Sequence, residues 1–248
     1  MKPLLFFLTL FLPFHLKGGE ITSYIGPHFN YSVVQFEQPQ KLYGYLGGLQ
    51  AGLGYQNCYF QTGVAFEGSW DALYFRGDPA QVSSLSEYFV VGRVGPRSLN
   101  WCCLEMNPYV GFGWHRFRNL ELPDTINLCY RYDKLYVPVG IELAYPIFCH
   151  VRSSLLVEWR PDVYSTLHVD SMQVDNRLCH GFRVEMPFEM SGFQPSCSSC
   201  CYSLSLAPFF DWAGFGASED EDPNGVPIDI PETTRWSLGL RFLMNYDF

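Results

Sequence analysis

Hydrophobic and polar residues alternate with a period of two in segment after segment of this chain, most fully in the last. Counting back from the end, Phe248, Tyr246, Met244, Phe242, Leu240, Leu238 and Trp236 share one face, and Asp247, Asn245, Leu243, Arg241, Gly239, Ser237 and Arg235 share the other. Successive side chains of a strand point to opposite sides, so this pattern predicts a strand with two unlike faces. The first face is apolar, with aromatics at both ends; the second is polar or small, except at Leu243. A strand at the edge of a soluble sandwich seldom keeps this up so long. A strand that crosses a bilayer needs about 9–11 residues, and its interfacial rims favour aromatics.

Other segments repeat the theme. Tyr43, Tyr45, Leu49, Ala51, Leu53 and Tyr55 oppose Gly44, Leu46, Gly48, Gln50, Gly52 and Gly54. Leu135, Val137, Val139, Ile141 and Leu143 oppose Tyr136, Pro138, Gly140 and Glu142. Leu204, Leu206, Pro208, Phe210 and Trp212 oppose Ser203, Ser205, Ala207, Phe209 and Asp211. Ten segments are predicted as strands, at 21–35, 42–55, 58–70, 86–95, 104–117, 132–144, 148–160, 179–190, 202–212 and 233–248. No 3.6-residue period stands out. Gaps after the second, fourth, sixth and eighth segments are mostly short, near Gln56–Asn57, Pro96–Cys103, Tyr145–Ile147 and Ser191–Cys201. Gaps after the third, fifth, seventh and ninth are long, and the one after the first is modest. Short turns on one side and long loops on the other are the signature of an up-and-down barrel. The expected fold is therefore all-β, an antiparallel transmembrane barrel of about ten strands, with eight as the alternative. An even count puts both ends of the barrel on the periplasmic side.

Five prolines cut across this pattern. Pro27, Pro108, Pro138, Pro187 and Pro208 lie inside proposed strands. Proline cannot donate to a ladder and a closed barrel has no edge, so each should mark a bulge or a missing bond.

Composition agrees with the barrel. Hydrophobic residues make up 48 % of the chain and aromatics 17 %, while charged residues are only 17 %, against a usual quarter. A barrel with an apolar outer wall accommodates that balance. The formal net charge of −9 argues against nucleic acid as a partner, because phosphates need basic surfaces. Lys2 followed by an apolar stretch from Pro3 to Phe14 has the shape of a secretory signal and is too short to span a bilayer. Residues 1–19 are expected to be removed after Gly18 or Gly19, leaving 20–248 as the barrel. That removal takes away Lys2 and Lys17 and makes the remainder more acidic.

With these features the chain resembles the small outer-membrane barrel proteins of Gram-negative bacteria, over nearly all of its mature length. The most specific element is the ending: Phe242, Met244, Tyr246 and a terminal Phe248. The resemblance implies that these four residues form the signal read by the barrel-assembly machinery. Asn107-Pro-Tyr-Val-Gly-Phe-Gly-Trp114 and Tyr136-Val-Pro-Val-Gly-Ile-Glu142 also resemble strands of that class. Nine cysteines depart from most such proteins and resemble the cysteine-rich outer-membrane proteins of chlamydia-like bacteria, whose envelope is crosslinked by disulfides. The expected location is the outer membrane, and the expected partners are its lipid, the assembly machinery and disulfide-linked envelope proteins.

Cys58, Cys102, Cys103, Cys149, Cys197, Cys200 and Cys201 fall at or beside expected periplasmic turns; Cys129 and Cys179 fall on the outer side. An exported chain meets an oxidising compartment, so all nine are disulfide candidates. An odd count leaves one thiol over for a neighbouring protein. Zinc on Cys197, Cys200 and Cys201 is the less favoured use, and no cofactor or metal is expected.

The proposed inward faces carry both signs of charge. Glu67, Glu87, Glu142, Glu158, Glu185, Glu189, Asp211 and Asp247 stand against Arg93, Arg152, Arg160, Arg183, Arg235 and Arg241. The favoured reading is a paired network that fills the lumen, since unpaired buried charge is costly; the alternative is a narrow ion or solute pathway. His28 and His115 are expected to form hydrogen bonds in the lumen. His168 and Asp170 sit in a long outer loop. Proteases of the omptin type have ten strands and use Asp and His near the rim to activate water, which makes a membrane-embedded hydrolase the alternative activity. That chemistry needs a second acidic pair across the mouth, and Asp71, Asp78 and Asp124 supply no paired motif. Asp220-Glu-Asp222-Pro-Asn224-Gly225 resembles half a calcium loop, but Pro231 stands where the closing ligand belongs. The preferred reading is a structural or surface-interaction protein rather than an enzyme.

Overall fold

The computed structural model describes residues 19–36, 41–75, 78–119, 130–148, 150–169, 172–193, 201–221, 227–230 and 232–247. The secretory signal expected before Gly19, Asp170 and Phe248 lie outside the described residues, as do Cys129, Cys149, Cys197 and Cys200. Ten strands form the wall: β1 (Glu20–Phe36), β2 (Lys41–Gln56), β3 (Phe60–Phe75), β4 (Asp78–Pro96), β5 (Leu104–Asn119), β6 (Tyr130–Tyr136 and Val139–Phe148), β7 (Val151–Val169), β8 (His180–Glu185 and Phe188–Phe193), β9 (Cys201–Phe215) and β10 (Thr233–Asp247). Each pairs antiparallel with its neighbours in sequence. The barrel closes where β10 returns to β1, with Thr22 opposite Asp247 and Phe36 opposite Thr233.

The prolines behave as their chemistry requires. Pro138 and Pro187 interrupt β6 and β8, and their carbonyls accept from Gly111 N and Ser154 N at 2.9 Å. Around Pro27 the ladder to β10 lapses between Ile25 and His28, and Pro108 lies beyond the last pair joining β5 to β4, Val94 with Val110. Pro208 keeps its place opposite Leu240. A further bulge follows Pro161, where β7 skips Val163 against β6.

Several strands run further out than alternation alone indicates. β3 continues from Trp70 to Phe75 and β4 begins at Asp78, so the long loop expected there is paired wall. β7 runs to Val169 and carries His168. Leu99–Trp101 folds back on β5 across Cys102 and Cys103. Of the acidic segment that resembles half a calcium loop, Asp220 and Glu221 enter a small hairpin, opposite Ile228 and Pro227.

The two faces are assigned as the alternation predicts. Leu238 is 58 % exposed, and Phe242 and Met244 also face outward. Their neighbours Arg235, Ser237 and Arg241 are buried. Tyr45, Leu49 and Leu53 on β2, Val110 and Phe112 on β5 and Trp159 on β7 likewise stand on the outer wall. Aromatics gather toward the outer end, where Tyr31 lies 5.3 Å from Tyr45 and 5.9 Å from Trp236.

The interior is layered. Near the turn-bearing end it is polar, with Gln50, Asn107, Ser203 and Ser205. The middle holds charge. The outer third holds an apolar cluster of Val34, Leu42, Leu46, Leu73, Leu85, Phe117, Tyr132, Leu167 and Phe215, beside the buried Lys134 and Asp162. Phe215 lies 4.7 Å from Tyr132 and 5.3 Å from Phe117, ring centre to ring centre. Such a cluster excludes water from that end of the lumen.

Candidate functional site

The middle layer of the lumen is where unusual chemistry converges. Each of its charged residues sits on an inward position of a strand, flanked by outward apolar residues, and so has nowhere to go but the interior. Glu158 on β7 accepts from Arg93 at 2.7 Å, from the Tyr109 hydroxyl at 2.7 Å and from Arg160 at 2.5 Å. Arg160 also reaches Asp211 on β9 at 2.8 Å. Asp211 takes Arg183 at 3.0 Å and Arg235 at 2.7 Å as well. Arg183 and Arg241 share Glu67 on β3, at 2.9 and 2.7 Å. Arg241 donates in addition to Glu185, and Arg235 to Glu87. Glu87 holds His115 Nε2 at 2.7 Å.

The result is one continuous network of five carboxylates and five guanidiniums. Its formal charges cancel. Burial of one ion is costly, and a mutual lattice with several hydrogen bonds per group offsets that cost. Two inward phenylalanines support it. The Arg160, Arg183 and Arg235 guanidinium carbons lie 5.5–6.0 Å from the Phe89 ring centre, and Arg241 lies 4.3 Å from that of Phe209. Guanidinium over an aromatic face is a favourable contact in a dry interior. Phe89, Phe209 and Tyr109 were not singled out as site residues by alternation, which marks a residue as inward without saying what it touches.

Ten of the fourteen inward charges expected from the sequence are in the network, with Arg93 at its edge. The others stand nearer the turn-bearing mouth. Arg152 pairs with Glu105 at 2.7 Å, Glu142 accepts from Asn107 at 3.4 Å, and Glu189 accepts from Ser203. Asp247 ends β10. The two histidines divide. His115 hydrogen-bonds Glu87 and stacks on Phe89 with 4.0 Å between ring centres. His28 departs from expectation: neither ring nitrogen has a hydrogen-bond partner among the described residues, Glu67 is 3.9 Å away, and the ring packs edge-on to Phe209.

Above the network, Lys134 is buried against Asp162 at 2.6 Å, donates to the Gly214 carbonyl and lies 4.6 Å from the Phe215 ring centre. Cys179 stands beside this pair, its amide bonded to Asp162.

His168 pairs with Arg131 across the wall and lies 3.8 Å from Asp133 Oδ2. Asp71 is exposed on β3. Among the described residues no group of three or more His, Cys, Asp or Glu is placed to hold a metal ion.

The cysteines segregate by end. Cys58 in the β2–β3 turn and Cys102 and Cys103 at the tip of the Leu99–Met106 hairpin are free and exposed. Cys201 opens β9 opposite Asp247. All four stand at the end that carries Glu20 and Asp247. Cys102 adopts φ 57°, the left-handed region that a two-residue hairpin demands and that a side chain disfavours.

No protein-family model matches the chain, and no curated protein matches it by sequence. Solved structures resemble it. The outer membrane protease OmpT from Escherichia coli is 8% identical, with 96% of this chain and 99% of that chain covered and a TM-score of 0.62. The transport unit of the autotransporter AIDA-I from Escherichia coli is 9% identical over 94% of each chain, with a TM-score of 0.43. The translocator domain of the autotransporter NalP from Neisseria meningitidis is 7% identical, covering 97% of this chain and 94% of that chain, with a TM-score of 0.42. At such identities the likeness is one of fold. The chain has the closed, ten-stranded antiparallel barrel of outer-membrane proteins.

Proposed function

We propose that the chain is an outer-membrane barrel with a structural or surface-interaction role, and that its lumen does not conduct. The observation that carries this reading is the lumen itself. Its middle is crossed by a charge-balanced ion network, and its outer third is filled by the apolar cluster around Phe215. An ion pathway needs polar groups that can trade places with water. Within the network every charged group has a charged partner, and beyond it the one buried ion pair named above, Lys134 with Asp162, is packed against the apolar cluster. The apolar outer wall and the alternating ending at Phe242, Met244 and Tyr246 support insertion in an outer membrane through the assembly machinery. Purified barrel added to a planar lipid bilayer is expected to give no discrete conductance steps. Regular steps under modest voltage would replace this reading with a channel.

The cysteines favour a finer version of the structural role. Cys58, Cys102 and Cys103 are exposed together at the turn-bearing end, where an exported chain meets disulfide-bearing oxidants. Attack of one of these thiolates on the disulfide of a neighbouring envelope protein would form a mixed disulfide and release that protein's other sulfur as a thiolate. Cells lysed in a thiol-blocking maleimide and run without reductant are expected to show high-mass species that collapse on reduction. Those species should fade when Cys58, Cys102 and Cys103 become Ser. A solely monomeric band would overturn the crosslink and leave the barrel reading intact.

A further inference from the structure

The outer wall carries one region that the lumen and the turns do not account for. On β5 the outward positions run Val110, Phe112, Trp114, Arg116 and Arg118, so the apolar band gives way to an aromatic and then to two cations. The neighbouring strands continue this at the same height. One row across the wall reads Tyr88, Arg116, Asp133 and Thr166; the next reads Ser86, Arg118, Arg131 and His168. In the second row Arg118 directly opposes Arg131. Like charges placed directly opposite on adjacent strands destabilise a sheet unless something anionic lies between them.

The protein supplies too little negative charge there. Asp133 is bonded by Arg116 through both oxygens, at 2.7 and 3.2 Å, and also meets Arg131 at 2.8 Å. Arg118 is exposed and has no ion pair among the described residues. Arg116 and Arg131 thus share one carboxylate and Arg118 has none, so three guanidiniums stand against Asp133 and Asp71 in a chain whose overall formal charge is −9. They border a cleft of about 590 Å³ that Trp70, Tyr88 and Trp114 also line, with the exposed Asp71 as a carboxylate on its wall. The Arg116 guanidinium carbon stands 4.8 Å from the Trp114 ring centre. Across the barrel the outer end of the wall is aromatic instead, at Tyr31, Tyr45 and Trp236.

We propose that this cleft, at the outer rim of β3 to β7, binds the phosphorylated headgroup of a lipid in the outer leaflet. The inference rests on the membrane reading above. Planar guanidiniums suit phosphate oxygens, which they meet through paired charge-assisted hydrogen bonds. Aromatic side chains mark the level at which headgroups begin. Acyl chains of the same lipid would lie along Val110 and Phe112 directly beneath, so one molecule satisfies both the cations and the apolar wall. A soluble anion would satisfy only the first.

The barrel, refolded into phosphatidylcholine nanodiscs, can be tested with phosphatidic acid carrying brominated acyl chains, which quench tryptophan on contact. Trp70 and Trp114 report from within the cleft. Quenching of the unaltered protein is expected at an about tenfold lower fraction of brominated phosphatidic acid than for R116Q/R118Q/R131Q, the loss of about 1.4 kcal/mol of binding. Brominated phosphatidylcholine should quench the two proteins alike. Arg118→Gln alone disrupts no ion pair and should shift the curve in the same direction by a smaller amount, which decides the matter should the triple variant fail to fold. Equal curves for the unaltered and Arg118→Gln proteins would overturn the site. Reversal of the quenching by inorganic phosphate would overturn the lipid as its occupant. A chain that does not insert into bilayers at all would overturn the membrane reading itself, whereas an inserted barrel without anionic preference overturns this inference alone.

Discussion

Asp211→Ala is expected to lower the unfolding free energy of the barrel by about 3–5 kcal/mol. Arg160, Arg183 and Arg235 all converge on this one carboxylate. Removing it leaves three guanidiniums from three strands facing one another, with Glu67, Glu87 and Glu158 too few and too committed to balance them. The cost is that of uncompensated buried charge rather than the net worth of the pairs. The exposed Asp71 serves as the control, since surface changes of this kind stay within about 0.5 kcal/mol. Urea titration of protein refolded into lipid vesicles, followed by tryptophan fluorescence, measures both. A loss below about 1 kcal/mol for Asp211→Ala would mean that water enters the middle of the lumen and screens the remaining charges.

Phe215→Ala is expected to cost about 3–5 kcal/mol in the same assay, for a different reason. Its ring is buried among Phe117, Tyr132, His115 and the Lys134 ammonium. Truncation leaves a void lined by rigid rings from two other strands, which cannot collapse because each is held by its own ladder. Phe210, on the outer wall of the same strand, touches the surroundings of the barrel, and its truncation should cost less. Equal losses at the two positions would mean that the apolar layer is loosely packed.

The ten strands, their facing and nearly all of the lumen charges were legible in the sequence because alternation reports facing directly. The period fails where both faces are apolar. From Ala72 through Tyr74 the inward Leu73 stands between outward apolar residues, and a pattern built on contrast sees none. That is why the outer ends of β3 and β4 were expected to be a loop, and why the apolar layer went unnoticed. The partners of each charge were illegible for another reason: Glu67 and Arg241 are 174 residues apart, and only closure of the barrel places them together. The arginines of the outer wall had a readable signal in Trp114-His-Arg116-Phe-Arg118, cations on the face that is otherwise apolar, but the opposition of Arg118 to Arg131 emerges only from the register of β5 with β6.

Closure of β10 on β1 also has a consequence for the order of assembly. This seam joins the two most distant stretches of the chain, so its loop-closure entropy falls late and the barrel should fold slowly. The same strand delivers Arg235 and Arg241. Until it docks, Glu67, Glu87, Glu158, Glu185 and Asp211 face only Arg93, Arg160 and Arg183, and the half-formed interior carries excess negative charge that must stay hydrated. Docking of the last strand therefore does two things at once: it seals the wall, and it neutralises the space inside, so that water can leave only when the final piece is in place.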